Sequence, residues 1–454
     1  MSDQQHEKFI RMTTEPVGRL VCRLAIPTII SMMVTAAYNM ADTFFVGMLH
    51  SNSATGAVGV AFSLMAIIQA VGFFFGHGSG NYISMELGRQ DTDNASKMAA
   101  TAVIYALLTG TVILILGQIF LTPLARLLGS TETILPYAEE YLRIILIGAP
   151  YMTASFVLNN QLRFQGSAVY GMVGIVVGAV INVGLDPLLI FTFNMGIRGA
   201  ALATILSQFA SFCLLLAVST KGGNLPIRLK NVRFGLYWIK MICKGGFPSL
   251  CRQGLMSVAT ICLNHAAGAY GDAAIAAMSV VQRTMMMANS ALIGFGQGFQ
   301  PVCGFNFGAG LYGRVKQGYR FCVKWATLGL VILASLMFAL APSLIAVFRD
   351  DPAVIAFGTV ALRLQCATLI CNGFTMISNM TLQALNRVVQ ASILAVARQG
   401  LFFIPVVLII PRIWGELGIQ LAQPVSDVCS LLLTIPMILP LLRELSVEKT
   451  PQNH

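Results

Sequence analysis

Charge is what this sequence has least of. Of 454 residues only 10% are Asp, Glu, Lys or Arg, against about 25% in an ordinary soluble domain. Acidic residues number only 18. A soluble enzyme of normal surface is excluded. The ten cysteines form no C-x-x-C pair and no Cys/His metal spacing. Most lie in apolar segments, as Cys213 and Cys262 do, and read as small core hydrophobes. No Ser/His/Asp or Cys/His grouping stands out, and His77 and His265 are isolated, which leaves no basis for an enzyme. The glycine clusters 76–80 (GHGSG) and 294–298 (GFGQG) lack the G-x-x-x-x-G-K-S/T spacing of a phosphate loop, so no nucleotide-driven pump is indicated. They read instead as close helix packing or a hinge at the cytoplasmic end of a helix. The first 18 residues are polar and of mixed charge, without a small-residue cleavage site, so no cleaved signal peptide is expected. No cofactor and no metal are expected.

Apolar residues fill the rest. They make up 56% of the chain, and mean hydropathy is +0.76. Residues 171–183 and 328–340 carry almost no polar side chain. Such runs are too long for the roughly ten-residue alternation of a membrane β-barrel. A helical span needs about 20 residues. Twelve spans fit, near 21–48, 55–79, 98–122, 136–160, 168–193, 198–219, 238–268, 274–301, 318–347, 354–383, 388–410 and 414–441. The expected fold class is an all-α polytopic membrane protein of 12 transmembrane helices. The lipid bilayer is then its medium, in a multi-pass arrangement. Loops on one side hold twenty Lys and Arg, while those on the other hold only Arg126, Arg198, Arg349 and Arg412. By the positive-inside rule both termini and the 220–236 linker are cytoplasmic. Topology thereby explains the net charge of +11, and no nucleic acid is needed.

The two halves read as copies about 220 residues apart. Pro27 matches Pro248, Leu142-Arg143 matches Leu362-Arg363, and Gly76-His77-Gly78 matches Gly296-Gln297-Gly298. Gly196-x-x-Gly199 matches Gly415-x-x-Gly418, and Ser207 matches Ser426. Six spans per half make the repeat parallel, with a pseudo-twofold axis along the membrane normal expected between two six-helix bundles. The domain reading is 1–219, a linker 220–236, and 237–454. The repeat makes a functional monomer reasonable.

Three aspartates fall inside spans: Asp42, Asp186 and Asp427. A charged Asp at a helix centre costs about 2.5–3.5 kcal/mol, so each is a functional candidate by default. Asp42 lies eight residues before the outer end of span 1, and Asp186 eight before the outer end of span 5. Thr204 lies six residues into span 6. At 1.5 Å per residue, all three sit at about 9–12 Å depth in the outer half. Asn182 precedes Asp186 by four residues and shares its helix face. Pro187 removes an N–H from that helix. Asn39, Asp42, Asn182, Asp186 and Thr204 offer oxygen acceptors and amides, the donor set of a hard cation or of a proton site. Two carboxylates close together in low dielectric titrate as a unit. Asp427 pairs with Gln208 in the repeat. Arg283 and Arg398 read as deep, and Arg283 either faces a substrate anion or bonds backbone carbonyls. The 22 methionines read mostly as helix-core filler.

These residues resemble a known family. The stretches Asn39-Met40-Ala41-Asp42-Thr43, Asn182-Val183-Gly184-Leu185-Asp186-Pro187 and Gly196-Ile197-Arg198-Gly199-Ala200-Ala201-Leu202-Ala203-Thr204 are similar to those of MATE-type (multidrug and toxic compound extrusion) secondary transporters. The likeness covers nearly the whole chain, from Leu24-Ala25-Ile26-Pro27 to Gly415-Glu416-Leu417-Gly418. It implies two six-helix bundles facing a central cleft and export by alternating access. In the branch this chain most resembles, it implies ion coupling at Asp42, Asn182, Asp186 and Thr204, with Tyr38 and Asn159 lining the N-lobe cavity. Asn39, Gln208 and Arg283 are placed with them on the substrate cavity. Other branches carry coupling carboxylates in helices 7 and 10, where this chain has none. The expected function is export of cationic or amphipathic drug-like molecules across a plasma (bacterial inner) membrane, driven by inward H⁺ or Na⁺. Pro27 and Pro187 are the expected hinges. A flippase of lipid-linked sugars, or an exporter of anionic metabolites, is the alternative that Arg283 and Arg398 motivate.

Overall fold

In hydrocarbon every backbone N–H and C=O must be paired within its own segment, so apolar runs of this length fold as helices. The computed structural model describes residues 3–49, 51–348 and 350–446, and among these it is helical with no strand. His50, at the expected outer end of span 1, and Arg349 and Lys449, among the loop cations, lie outside the described residues. Twelve long helices follow one another. The first six are α1 (Val17–Gly47), α2 (Asn52–Gly88), α3 (Thr92–Ile119), α4 (Leu135–Phe164), α5 (Ala168–Thr192) and α6 (Ile197–Val218). The second six are α7 (Leu236–Gly268), α8 (Asp272–Gly308), α9 (Tyr312–Ala339), α10 (Pro352–Ala384), α11 (Val388–Trp414) and α12 (Glu416–Glu444). Ten of them are long and apolar enough to cross a membrane. The other two, α7 and α8, are 33 and 37 residues long but carry Lys240, Lys244, Arg252 and Arg283. Short helices at Leu121–Leu127 and Ala341–Phe348 follow α3 and α9 at matching places in the two halves.

Contacts group the helices into two units, but not as the linker suggested. One unit holds residues up to Glu15 and Ile26–Gly246; the other holds Pro16–Ala25 and Phe247 onward. The first turns of α1 and of α7 are therefore exchanged between the units. Small residues allow it. Gly246 lies so close to Phe74 that a Cβ would stand 2.1 Å from its carbonyl oxygen, and one on Gly298 would stand 2.4 Å from the Cα of Ala25. In both helices the second residue after the switch is the repeat-matched proline, Pro27 or Pro248. The 220–236 segment is not a free seam. Leu225 N donates to Gln165 Oε1 at 2.7 Å and Arg233 N to Thr101 Oγ1 at 2.9 Å, which fixes it to the first unit.

Within the first unit α4 is central and touches α2, α3, α5 and α6; α10 plays that part in the second, against α8, α9 and α12. Around the N-terminal half of α4 pack Tyr141, Leu142, Ile145 and Leu146, and around its C-terminal half Leu158 and Leu162 lie against Met98 and Val103. The glycine cluster 76–80 sits inside α2, not at its end, because α2 continues to Gly88. Its packing role holds: a Cβ on Gly78 would meet the Ile242 carbonyl at 2.2 Å.

The matched G-x-x-G motifs have one structural meaning in both units. Gly196 and Gly415 cap α6 and α12 with φ of 56° and 60°, the left-handed region that disfavours other residues. Three residues on, Gly199 and Gly418 lie against backbone. A Cβ would come within 2.7 Å of the Leu189 carbonyl, or 2.5 Å of Pro411 N. The helix met in each case is irregular: α5 is wound as a π-helix over Leu188–Thr192 and α11 over Ala397–Phe403. Pro187 and Pro405 stand at these windings, and each withdraws a backbone N–H that regular winding would use.

The polar N-terminus forms an amphipathic helix, Asp3–Thr14. Met12 packs at Gly166, and Lys8 is buried at 7% exposure. The Lys8 Nζ donates to Ser167 Oγ at 2.9 Å and to Asn224 Oδ1 at 2.7 Å. Burial, with Arg11 adding like charge, pushes its ammonium down from 10.5 to about 7. The helix is thus docked with a lysine that prefers to be neutral, while an undocked lysine keeps its proton to about pH 10.4. Docking releases a proton between these values, so it strengthens as pH rises from about 7 to about 10 and is flat below that window. Chymotryptic cleavage after Phe9, normalised to a model peptide, is expected to slow between pH 7 and 9 in wild type and not in Lys8→Met. The same pH dependence in both proteins would remove this account.

Candidate functional site

Three helices of the first unit bring the predicted polar residues together. Asp42 lies five residues before the end of α1, Asp186 six before the end of α5, and Thr204 seven after the start of α6. Asn182 is one turn before Asp186 on α5. All four are buried, Asp186 completely. Thr204 is satisfied, its Oγ1 donating to Ala200 O at 3.0 Å. The others are not: among the described residues, Asp42 Oδ1, both Asp186 oxygens and both Asn182 amide atoms make no hydrogen bond. No ion pair among the described residues involves either aspartate. The two carboxylates are within electrostatic reach of each other and of Tyr38 and Tyr141. A buried carboxylate without partner is strongly unfavourable. A proton on either carboxylate, or a cation beside them, would relieve that cost.

Beside the carboxylates is a cavity of about 40 Å³, lined among others by Thr35, Tyr38, Asn159, Asn182, Ser207 and Gln208. Its volume and polar walls suit one or two waters. It is far below the roughly 300–1,000 Å³ of a drug-sized pocket. Tyr38 and Asp42 are one turn apart on α1, so one helix carries both a cavity wall and a carboxylate. Asn159 holds α5 close, its Nδ2 donating to Gly171 O at 2.9 Å. The symmetric bond occurs in the second unit, from Asn379 Nδ2 to Ala391 O at 2.7 Å.

Two predicted residues do not join this cavity. Asn39 is half-buried on α1 but is not in the cavity wall. Arg283 is exposed on α8, where the helix phase buries Val281, Thr284 and Met285, and it is not in the wall of this cavity. Of the two prolines expected as hinges, Pro27 lies next to the unit switch of α1 and Pro187 next to the π-winding of α5. Sequence reasoning passed over Tyr141, whose buried hydroxyl lies beside Thr204 and within electrostatic reach of both carboxylates. A lone Tyr in an apolar run gives no pattern to find. Arg163, counted among the cytoplasmic charges, is buried at 3%, with Nη2 2.6 Å from Asn160 Oδ1 and 3.2 Å from His77 Nε2.

Two six-helix sets, a buried carboxylate pair and a water-sized cavity within the spanning helices define a membrane transporter. The chain belongs to the MatE family, whose model matches residues 27–188 and again 248–409. The two matched stretches are the two halves of the repeat, and the chain is a transporter and not an enzyme. It is 28% identical over 453 residues to the multidrug export protein MepA of Staphylococcus saprophyticus, covering 99% of each chain. To MepA of Staphylococcus aureus strain NCTC 8325 it is 26% identical over 420 residues, 92% of each. Among solved structures, a MATE protein in complex with MaL6 has a TM-score of 0.91 at 24% identity, over 96% of this chain and 99% of that one. A MATE protein in its straight conformation gives 0.89 at 25%, over 97% and 98%. The fold and family expected from the motifs are borne out.

Proposed function

We propose that this protein is an antiporter that exports cationic or amphipathic small molecules in exchange for inward H⁺ or Na⁺. The unpartnered Asp42–Asp186 pair carries this reading, because its buried charge calls for a small cation. The names of the MepA relatives supply the substrate class. Asp42 and Asp186 are the groups that take up the ion. Asn182 and Thr204 flank them. Tyr38, Asn159 and Gln208 line the space into which the substrate enlarges the cavity.

The coupling follows from α1. Residues 26–47 belong to the first unit and 16–25 to the second, with Pro27 the second residue past the switch. Proline leaves one helical hydrogen bond open, so bending is cheapest there. Loading the carboxylates changes the charge at Asp42, and α1 re-bends about Pro27. Tyr38 moves with it and closes the cavity on the exported molecule. The π-winding after Pro187 gives α5 a second place to yield. We place the protein as a monomer in a bacterial plasma membrane with both termini in the cytoplasm, as the basic loops favour.

Ethidium efflux from cells lacking their main pumps tests this, with and without a protonophore, in Na⁺ and in Na⁺-free buffer. Efflux stopped by the protonophore and indifferent to Na⁺ identifies H⁺ as the coupling ion; the opposite pattern identifies Na⁺. Well-expressed protein without efflux, or efflux that ignores both ions, overturns the proposal. The sugar-lipid flippase and anionic-metabolite alternatives need uncompensated deep arginines. Of the two arginines that motivate them, Arg398 stands as one ion pair with Asp427 and Arg283 is outside the cavity wall, so these alternatives have less behind them than the carboxylate pair.

A further inference from the structure

The second unit has a charged centre that the N-lobe site does not use. Arg398 on α11 and Asp427 on α12 form an ion pair, Nε to Oδ1 at 2.8 Å. Asp427 has no exposed side-chain surface, whereas Arg398 keeps 17%. The carboxylate is fully engaged. Its Oδ1 also accepts from Gln423 Nε2 at 2.9 Å, and its Oδ2 is 3.5 Å from Thr368 Oγ1 on α10. The guanidinium is not: of its five N–H donors, Nε alone is bonded among the described residues. The backbone holds it in place. Arg398 lies in the π-wound stretch of α11, and the carbonyl of Arg398 accepts a hydrogen bond from Ser426 Oγ. π-windings within helices are often found at functional sites.

What is presented outward is therefore positive, although the pair is neutral overall. The free Nη edge is a planar fork of the kind that binds a carboxylate bidentately. The exposed edge of a charged group facing lipid would be costly, so it belongs on a water-accessible side. The surroundings lack partners of their own. Asn372 Nδ2 and Thr375 Oγ1, one and two turns along α10 from Thr368, are buried without hydrogen bonds, as is Ser430 Oγ one turn along α12 from Asp427. A bare cation would meet Arg398 first and be repelled.

We propose that Arg398, oriented by Asp427, is a binding site in the second unit for the carboxylate of an amphipathic organic anion or zwitterion. This adds a ligand class to the exporter reading. Its readout is binding and not flux, so the two can fail separately.

The test uses the full-length purified protein in nanodiscs, with 1-naphthoate as fluorescent aromatic carboxylate and ethidium as lipophilic cation. Arg398→Gln is expected to weaken naphthoate binding about tenfold, ~1.4 kcal/mol, and to leave ethidium binding within about twofold on the same scale. Arg398→Lys, which keeps the charge and loses the fork, is expected to fall between. If Arg398→Gln does not fold because Asp427 is left alone, the double variant Arg398→Gln/Asp427→Asn removes both charges at nearly constant shape and carries the test. Unchanged naphthoate affinity in the folded variants, equal loss of naphthoate and ethidium, or no naphthoate binding to wild type each overturns the site.

Discussion

Asp42→Asn and Asp186→Asn are each expected to reduce ion-driven ethidium efflux to the level of cells without the protein, at normal expression. Asparagine keeps the size and polarity of the side chain, so folding is spared. It cannot take up a proton or balance a cation's charge. The effect is large because no other acidic group stands in. Spans α7 and α10 contain none, and Asp427 is held by Arg398. Both single variants should be equally silent, since two interacting carboxylates act as one titrating unit. Drug binding should persist, because the cavity walls Tyr38, Asn159 and Gln208 are untouched. Asn182→Ala, which removes a flanking amide and leaves both charges, should lower efflux without abolishing it. Wild-type efflux in Asp42→Asn, measured with a protonophore control, would remove the N-lobe pair from the coupling mechanism.

Gly199→Val and Gly418→Val should be the most destabilising single substitutions at the outer helix ends. Each new side chain would have to occupy space already filled by the backbone of α5 or α11, which cannot swing away as a side chain can. Overpacking a closed site costs about 1–3 kcal/mol and occasionally more, and these two belong at the upper end. The expected result is a clear fall in melting temperature in detergent, with lower yield. Gly199→Val should also reduce coupling, because the displaced stretch of α5 is the π-winding that follows Asp186 and Pro187. Gly329→Ala on α9 is the control. Nothing lies within 4 Å of a Cβ there, and alanine favours a helix over glycine by about 1 kcal/mol. A stable, active Gly199→Val would mean that α5 and α6 can separate at this point without consequence.

The N-lobe site was legible because its signals are local. An aspartate in an apolar run is conspicuous, and the distance to a helix end converts directly into depth. That arithmetic placed Asp42, Asp186 and Thr204 at one level before any contact was known. The G-x-x-G repeat was visible for the same reason, although its two glycines proved to serve different ends, a left-handed cap at Gly196 and a close approach at Gly199. Arg283 shows where such reading stops. Depth along a helix says nothing of azimuth, and on α8 Val281, Thr284 and Met285 are buried while Arg283 is exposed.

By itself, then, the sequence determined the membrane solvent, the helical class, the count of long helices, the doubling and the family. All of these follow from composition, hydrophobic run length and spacing along one chain. The tertiary structure alone decided what meets across helices: Tyr141 beside the carboxylates, Asp427 with Arg398, Lys8 locked onto Ser167 and Asn224. It also decided the exchange of the first turns of α1 and α7 between units. These depend on the rotation of each helix about its axis and on close approaches between segments far apart in sequence. A hydrophobic pattern that is apolar on every face of a spanning helix does not encode them.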